Sequence, residues 1–156
     1  GYAQVDVTNV YTAPMSLFSG VPTDPEQAGM PVWEPLAIQL DIWREAGIGP
    51  DRIAVMERAL CIKTAMIGRM EQSPGGTCYI GVHNGIGMMH ALEVPEPARR
   101  GGMGTAMTIQ AAQWAERQGA TDFACLCVAR NEAANALYRK LGMTLAGQYH
   151  YRIKES

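Results

Sequence analysis

Apolar and polar residues alternate through 4–11 (Gln-Val-Asp-Val-Thr-Asn-Val-Tyr), the period of a half-buried strand. The alternation then yields to Pro14, Gly20, Pro22, Pro25, Gly29, Pro31 and Pro35, which read as an extended connector. Helical spacing begins with Leu36, Ile38, Leu40 and Trp43 over residues 36–46, and Gly47 stands in the helix-stopping position. Asp51 is placed to cap a short second helix running to about Arg58.

Three strand-like segments follow. Residues 61–72 and 77–83 flank Ser73-Pro74-Gly75-Gly76, a turn by composition. Residues 77–83 and 86–94 flank Asn84-Gly85, a dipeptide suited to a type I′ hairpin. Beyond Val94 helix and strand alternate. Met103, Met107, Ala111 and Trp114 share one face of a helix over 102–118, stopped by Gly119. Phe123–Val128 is a continuous apolar run, consistent with a buried strand. A helix over 132–141 stops at Gly142, and a last strand covers 143–153 with a break near Gly147. The pattern predicts a mixed α/β (α+β) fold: an antiparallel meander followed by β-α-β-α-β, with helices on both faces of one mixed sheet. We divide it into a strand and connector over 1–35 and a main domain over 36–156.

Composition removes several function classes. The chain has 156 residues, 47% apolar and 18% charged, and a formal net charge of -2, so it lacks the basic field that nucleic-acid binding requires. Cys61, Cys78, Cys125 and Cys127 form no Cys-x-x-Cys pair and have no histidine at zinc-finger spacing, so we expect reduced core thiols and no metal. No stretch of 18 apolar residues and no charged-then-apolar leader is present, and we expect a cytoplasmic protein without membrane partners. The chain opens on Gly1 rather than methionine, which leaves room for a longer natural protein.

Candidate chemistry begins at Val94-Pro95-Glu96-Pro97-Ala98-Arg99-Arg100-Gly101-Gly102-Met103-Gly104-Thr105, which leads from a strand into a helix. A helix start offers unpaired N–H groups and a partial positive charge, and both attract phosphate. Glycines remove the Cβ atoms that would hold a ligand away, and the two arginines add charge-assisted bonds. No lysine completes a P-loop, and Met107 stands where a dinucleotide-binding loop needs its third glycine. The pattern that fits is Arg-x-x-Gly-x-Gly through Arg99, Gly102 and Gly104; a merely flexible strand-to-helix loop is the competing reading.

A second motif, Asn131-x-x-Ala134-x-x-Leu137-Tyr138-x-x-x-Gly142-Met143, lies about thirty residues downstream. By themselves Asn131 is a sound helix cap, Ala134 and Leu137 are core contacts and Tyr138 is an amphipathic face residue. In this order and spacing the two motifs resemble those of the GNAT N-acetyltransferases, over roughly residues 60–152. Met143 stands where an aromatic is usual.

The resemblance implies an acyl-coenzyme A-dependent N-acyltransferase that moves acetyl from acetyl-coenzyme A to a primary amine by direct attack in a ternary complex. A catalytically silent module that binds coenzyme A or a partner protein is the alternative. Arg99, Arg100, Gly101, Gly102, Met103, Gly104 and Thr105 would hold the pyrophosphate. Leu92 and Val94 would offer backbone groups to the pantetheine arm, with Asn131 and Ala134 on its other side. Tyr138 would present its hydroxyl to the thioester sulfur as catalytic acid.

For the base we take Glu93. His90 is the other ionisable residue of that strand, and three residues apart the two face opposite sides unless a bulge intervenes. His150, between Tyr149 and Tyr151, is a candidate for the acceptor pocket or simply part of a packed strand. The acceptor is a small-molecule or peptide amine, and the exposed sheet end can support a homodimer. The family usually ends in a hairpin. Its missing strand is to be sought in residues 4–11, in a partner subunit, or in further natural chain.

Overall fold

The computed structural model describes residues 1–154, so the last two residues of the predicted 36–156 domain lie outside it. Its seven strands are β1 (Tyr2–Pro14), β2 (Gly29–Val32), β3 (Ile62–Met70), β4 (Ser73–His83), β5 (Ile86–Glu93), β6 (Asp122–Val128) and β7 (Thr144–Lys154). Its helices are α1 (Ala37–Glu45), α2 (Pro50–Arg58), α3 (Met103–Arg117) and α4 (Glu132–Lys140). The strands form one mixed sheet in the order β2-β3-β4-β5-β6-β1-β7. Only β5 and β6 run parallel; every other neighbouring pair is antiparallel.

The expected fold class is present, with the meander feeding β-α-β-α-β. The larger core joins Met103, Met107, Ala111, Trp114 and Tyr138 to the sheet through Met66, Cys78, Ile80, Met89, Phe123 and Cys125, which sets α3 and α4 on one face. On the other face Trp43 and Met56 of α1 and α2 meet Ala65 and Tyr79. Asn84 and Gly85 both take positive φ, 48° and 77°, as a type I′ turn demands.

Three local readings are corrected. The β3–β4 reversal falls at Glu71-Gln72, and Ser73-Pro74-Gly75-Gly76 already belongs to β4. Those glycines answer to packing: a Cβ on Gly76 would come 2.8 Å from the Met107 sulfur and 3.0 Å from the Glu93 carbonyl oxygen. Asp51 sits in the first turn of α2, whose cap is Gly49, because Pro50 can open a helix where an N–H is not needed. Residues 14–35 are also more than a connector. They contribute β2 against β3 and strap α3, where Gln113 Nε2 donates to Phe18 O (3.0 Å) and Val21 O (2.9 Å).

Residues 4–11, one of the sources considered for the missing strand, do join the sheet as part of β1. β1 lies inside the sheet between β6 and β7, pairing Thr8 with both Val128 and Tyr149. The predicted irregularity near Gly147 appears as a register shift, with Val10 opposite Gly147 and Tyr11 opposite Leu145.

Candidate functional site

Parallel pairing of β5 with β6 ends at Met89 opposite Cys125, although β5 continues to Glu93 and β6 to Val128. The two strands therefore part toward their C-terminal ends. A bulge in β5 sharpens the divergence: Thr77 and Tyr79 are two apart on β4, but their partners Glu93 and His90 are three apart. The extra residue is taken up at Ala91, whose φ is 52°. As cross-strand partners of Thr77 and Tyr79, His90 and Glu93 face the same side, that of α1 and α2. Trp43 holds the bulge in place by donating its indole N–H to Ala91 O (2.8 Å).

The glycine loop runs from the end of β5 to the start of α3. Arg100 and Gly102 take φ of 66° and 82°, and Gly102 caps α3 without any side-chain acceptor for its first-turn amides. Such a turn is an anion seat built of backbone N–H groups. A Cβ on Gly104 would lie 3.3 Å from the Leu137 side chain, so this glycine also lets α3 approach α4. Arg99 folds back, its Nε donating to Val94 O (2.9 Å), while Arg100 stays exposed. Gln27, in the strap, donates to Gly101 O and borders the loop. Met103 is buried in the core, so only its amide can serve a ligand.

Tyr138 comes from α4, on the same face of the sheet as α3 and opposite α1 and α2. It is 3% exposed, its ring lies 5.5 Å from that of Tyr11, and its hydroxyl lies against Cys125. Burial, with Cys125, Cys127, Cys78 and Glu93 nearby, pushes its pKa well above 10, so the phenol keeps its proton. Glu93 stands across the sheet in a cavity with Ile42, Glu45, Ala46 and Arg99. Desolvation raises its carboxyl above the ordinary range, and Arg99 opposes that rise.

Asn131 Oδ1 accepts from Ala134 N (3.1 Å) and is thus committed to capping α4, which leaves only its amide group for a ligand. Ala134 is half-buried against the core, Leu92 and Val94 pack their side chains there, and Thr105 lies in the first turn of α3. His150 lies among the exposed residues of β7, whereas Tyr149 and Tyr151 line a separate cavity with His90.

Asn135 lies inside the second motif at a position that the motif does not specify. It is buried, its Oδ1 accepts from Asn9 Nδ2 (2.6 Å) and Tyr11 OH (2.7 Å), and its Nδ2 donates to Asn131 O (2.7 Å). Asn135 thereby locks α4, and Tyr138 with it, onto β1. The available signal was an amide side chain three residues before Tyr138, on the same helical face.

Burial and the charge of Arg52 lower the His90 pKa from 6.5 to about 4. Between those values the unfolded chain binds a proton that the native chain does not, so stability must rise with pH across that window. The raised carboxyl of Glu93 acts in the opposite sense above 4.5. Urea unfolding from pH 4 to 7 should therefore show a shallower rise for His90→Gln than for the parent; an identical slope would place the His90 proton elsewhere.

The comparisons with known proteins agree with this geometry. A family model described as FR47-like protein matches residues 65–153. A Bacillus subtilis protein, "Uncharacterized N-acetyltransferase YobR", is 30% identical over 133 residues, 83% of this chain. The chain spans about half the length of that relative, 52%. Among solved structures, a tandem GNAT protein from the clavulanic acid biosynthesis pathway superposes with a TM-score of 0.74 at 11% identity, over 97% of this chain and 55% of that one. A GCN5-related N-acetyltransferase from Kribbella flavida gives 0.62 at 17% identity, over 97% and 59%. An aminoglycoside 6′-N-acetyltransferase from Acinetobacter haemolyticus gives 0.62 at 19% identity, over 83% and 99%. The divided strands, the glycine turn and the matched family model converge: the chain belongs to the FR47-like family of the GNAT superfamily.

Proposed function

We propose that this chain transfers acetyl from acetyl-coenzyme A to a primary amine, by direct attack while donor and acceptor are both bound. The observation that carries the reading is the parting of β5 from β6 beyond Met89, with an uncapped helix start after β5 and the Tyr138 hydroxyl against Cys125, the last residue of β6 to pair with β5. The seat suits a diphosphate because no side chain caps α3, and even a Cβ built on Gly102 would meet nothing closer than the Gln27 side chain at 3.8 Å. Arg99 and Arg100 add charge at its rim. The unpaired edge through Leu92 and Val94 suits the amide-bearing pantetheine arm, and the Asn131 amide group can donate to it from the other side.

When bound, the donor supplies an activated thioester carbonyl. A strand-edge N–H near Val94 stabilises negative charge developing on its oxygen. Glu93, made more basic by desolvation, accepts a proton from the amine, directly or through water. As the carbon–sulfur bond breaks, the protonated Tyr138 hydroxyl donates to the departing sulfur. The matched family and its structural neighbours support acyl transfer in general. The donor, the acceptor and these residue roles are our own reading.

Calorimetry with acetyl-coenzyme A should give binding in the micromolar range or tighter. The double variant Arg99→Gln/Arg100→Gln should bind about tenfold or more weakly, through loss of charge-assisted bonds. No detectable binding by the parent chain would overturn the proposal. Binding without thiol release on any amine would favour the silent module.

A further inference from the structure

On the α1/α2 face, next to the β5 bulge, lies a cavity of about 620 Å3. Met56 of α2, Tyr79 of β4, Met88 of β5 and Tyr149 and Tyr151 of β7 are among the residues that line it and give it an apolar, aromatic character. The volume suits a ligand larger than a short aliphatic amine. Residues of β5 and β7 both line it although β6 and β1 lie between those strands in the sheet.

Tyrosine hydroxyls and the Cys61 thiol add neutral polar atoms to this lining, and its remaining polar side chains are basic. Arg52, His83 and His90 contribute to the lining, and none of the lining residues is Asp or Glu. The ion pairs among the described residues join Arg44 to Asp41 and Arg130 to Asp6, so the Arg52 guanidinium has no carboxylate partner there. Arg52 is close enough to both His90 and Tyr149 for its charge to act on their titration. An apolar cavity with one unpaired guanidinium selects an apolar body with one anionic group. A polycation would meet Arg52 and find no acidic side chain in return.

We propose that the acceptor is an amine bearing both a bulky apolar or aromatic group and a carboxylate, as in the apolar α-amino acids, with the apolar group in this cavity and the carboxylate on Arg52. His90 lies at the meeting point of cavity and bulge, so an amine held there stands next to the parting of β5 from β6. The assignment of this ligand as acceptor rests on the transferase reading above. Its binding to the cavity does not.

Binding and transfer are measured separately. Titrations monitored by saturation-transfer NMR, without donor, compare L-phenylalanine, phenethylamine and spermidine. L-Phenylalanine should bind at least about tenfold more tightly than phenethylamine, which lacks the carboxylate, and spermidine should bind more weakly still. Arg52→Gln should erase the preference for L-phenylalanine over phenethylamine. Met88→Trp, which fills the cavity, should weaken L-phenylalanine more than glycine. Equal binding of phenethylamine and L-phenylalanine, tighter spermidine binding, or an Arg52→Gln variant that keeps the preference would each overturn the proposal.

Thiol release with acetyl-coenzyme A should follow the same order in kcat/KM. Transfer confined to spermidine overturns this inference and leaves the transferase reading standing. Arg52-dependent binding of L-phenylalanine in a chain that binds no acetyl-coenzyme A overturns the transferase reading and leaves the cavity assigned.

Discussion

Tyr138→Phe is expected to lower kcat for amine acetylation by roughly 10²–10⁴, the usual contribution of a positioned general acid. Acetyl-coenzyme A affinity should change little, because the proposed pyrophosphate seat at residues 99–105 does not involve this hydroxyl. The substitution keeps the aromatic ring against Tyr11 and removes one oxygen near Cys125, so the fold should survive. Tyr138→Ala is a different experiment: emptying a site that is 3% exposed should cost about 3–5 kcal/mol of stability. Steady-state rates paired with calorimetry for the phenylalanine variant separate chemistry from binding. Unchanged turnover would remove Tyr138 from the mechanism.

The second large effect is expected at Trp43, distant in sequence from both motifs. Its indole is fully buried and donates to Ala91 O, the carbonyl of the residue whose positive φ makes the β5 bulge. Trp43→Ala should cost about 3–5 kcal/mol, a large part of the 5–15 kcal/mol that an ordinary domain has in total. Trp43→Phe retains most of the apolar contact but leaves the Ala91 carbonyl without its donor, at a cost of about 1–3 kcal/mol. Because the bulge turns His90 and Glu93 to one side, turnover should fall as well, while donor binding at the proposed glycine-loop seat should persist. Urea unfolding and kcat measured on one preparation test both parts. Lowered stability with full turnover would show that the bulge geometry is not needed for the reaction.

What could be read from the sequence was the chemistry carried by neighbouring residues. Asn84-Gly85 announces its hairpin because both positions need positive φ, and the glycine-rich start of α3 is legible because a helix terminus is a local object. The relation between His90 and Glu93 was not legible. It depends on a bulge that local composition does not mark, and the structure resolves it by placing both on one face. Gly75 and Gly76 misled because glycine is demanded equally by a turn and by a close helix, and Met103 and Met107 approach from far along the chain. The Asn9–Tyr11–Asn135 network and the aromatic cavity escaped for the same reason: the network joins residues 124 and 126 positions apart, and the cavity brings β7 against segments far upstream.

The position of β1 has a topological consequence. Tyr2 is paired with Lys154, so the two ends of the described chain run side by side in the same sheet, antiparallel and within a ladder of one another. Splicing them through a short linker and opening the chain at the Asn84-Gly85 turn would rewire the connectivity without disturbing a single strand pairing. In that permuted order β7 and β1 become a hairpin, and a contact that now spans almost all of the described residues becomes one of the most local. The native wiring instead requires the first strand to wait for the last before this side of the sheet is complete, a topology that slows folding through the entropy of long-range closure.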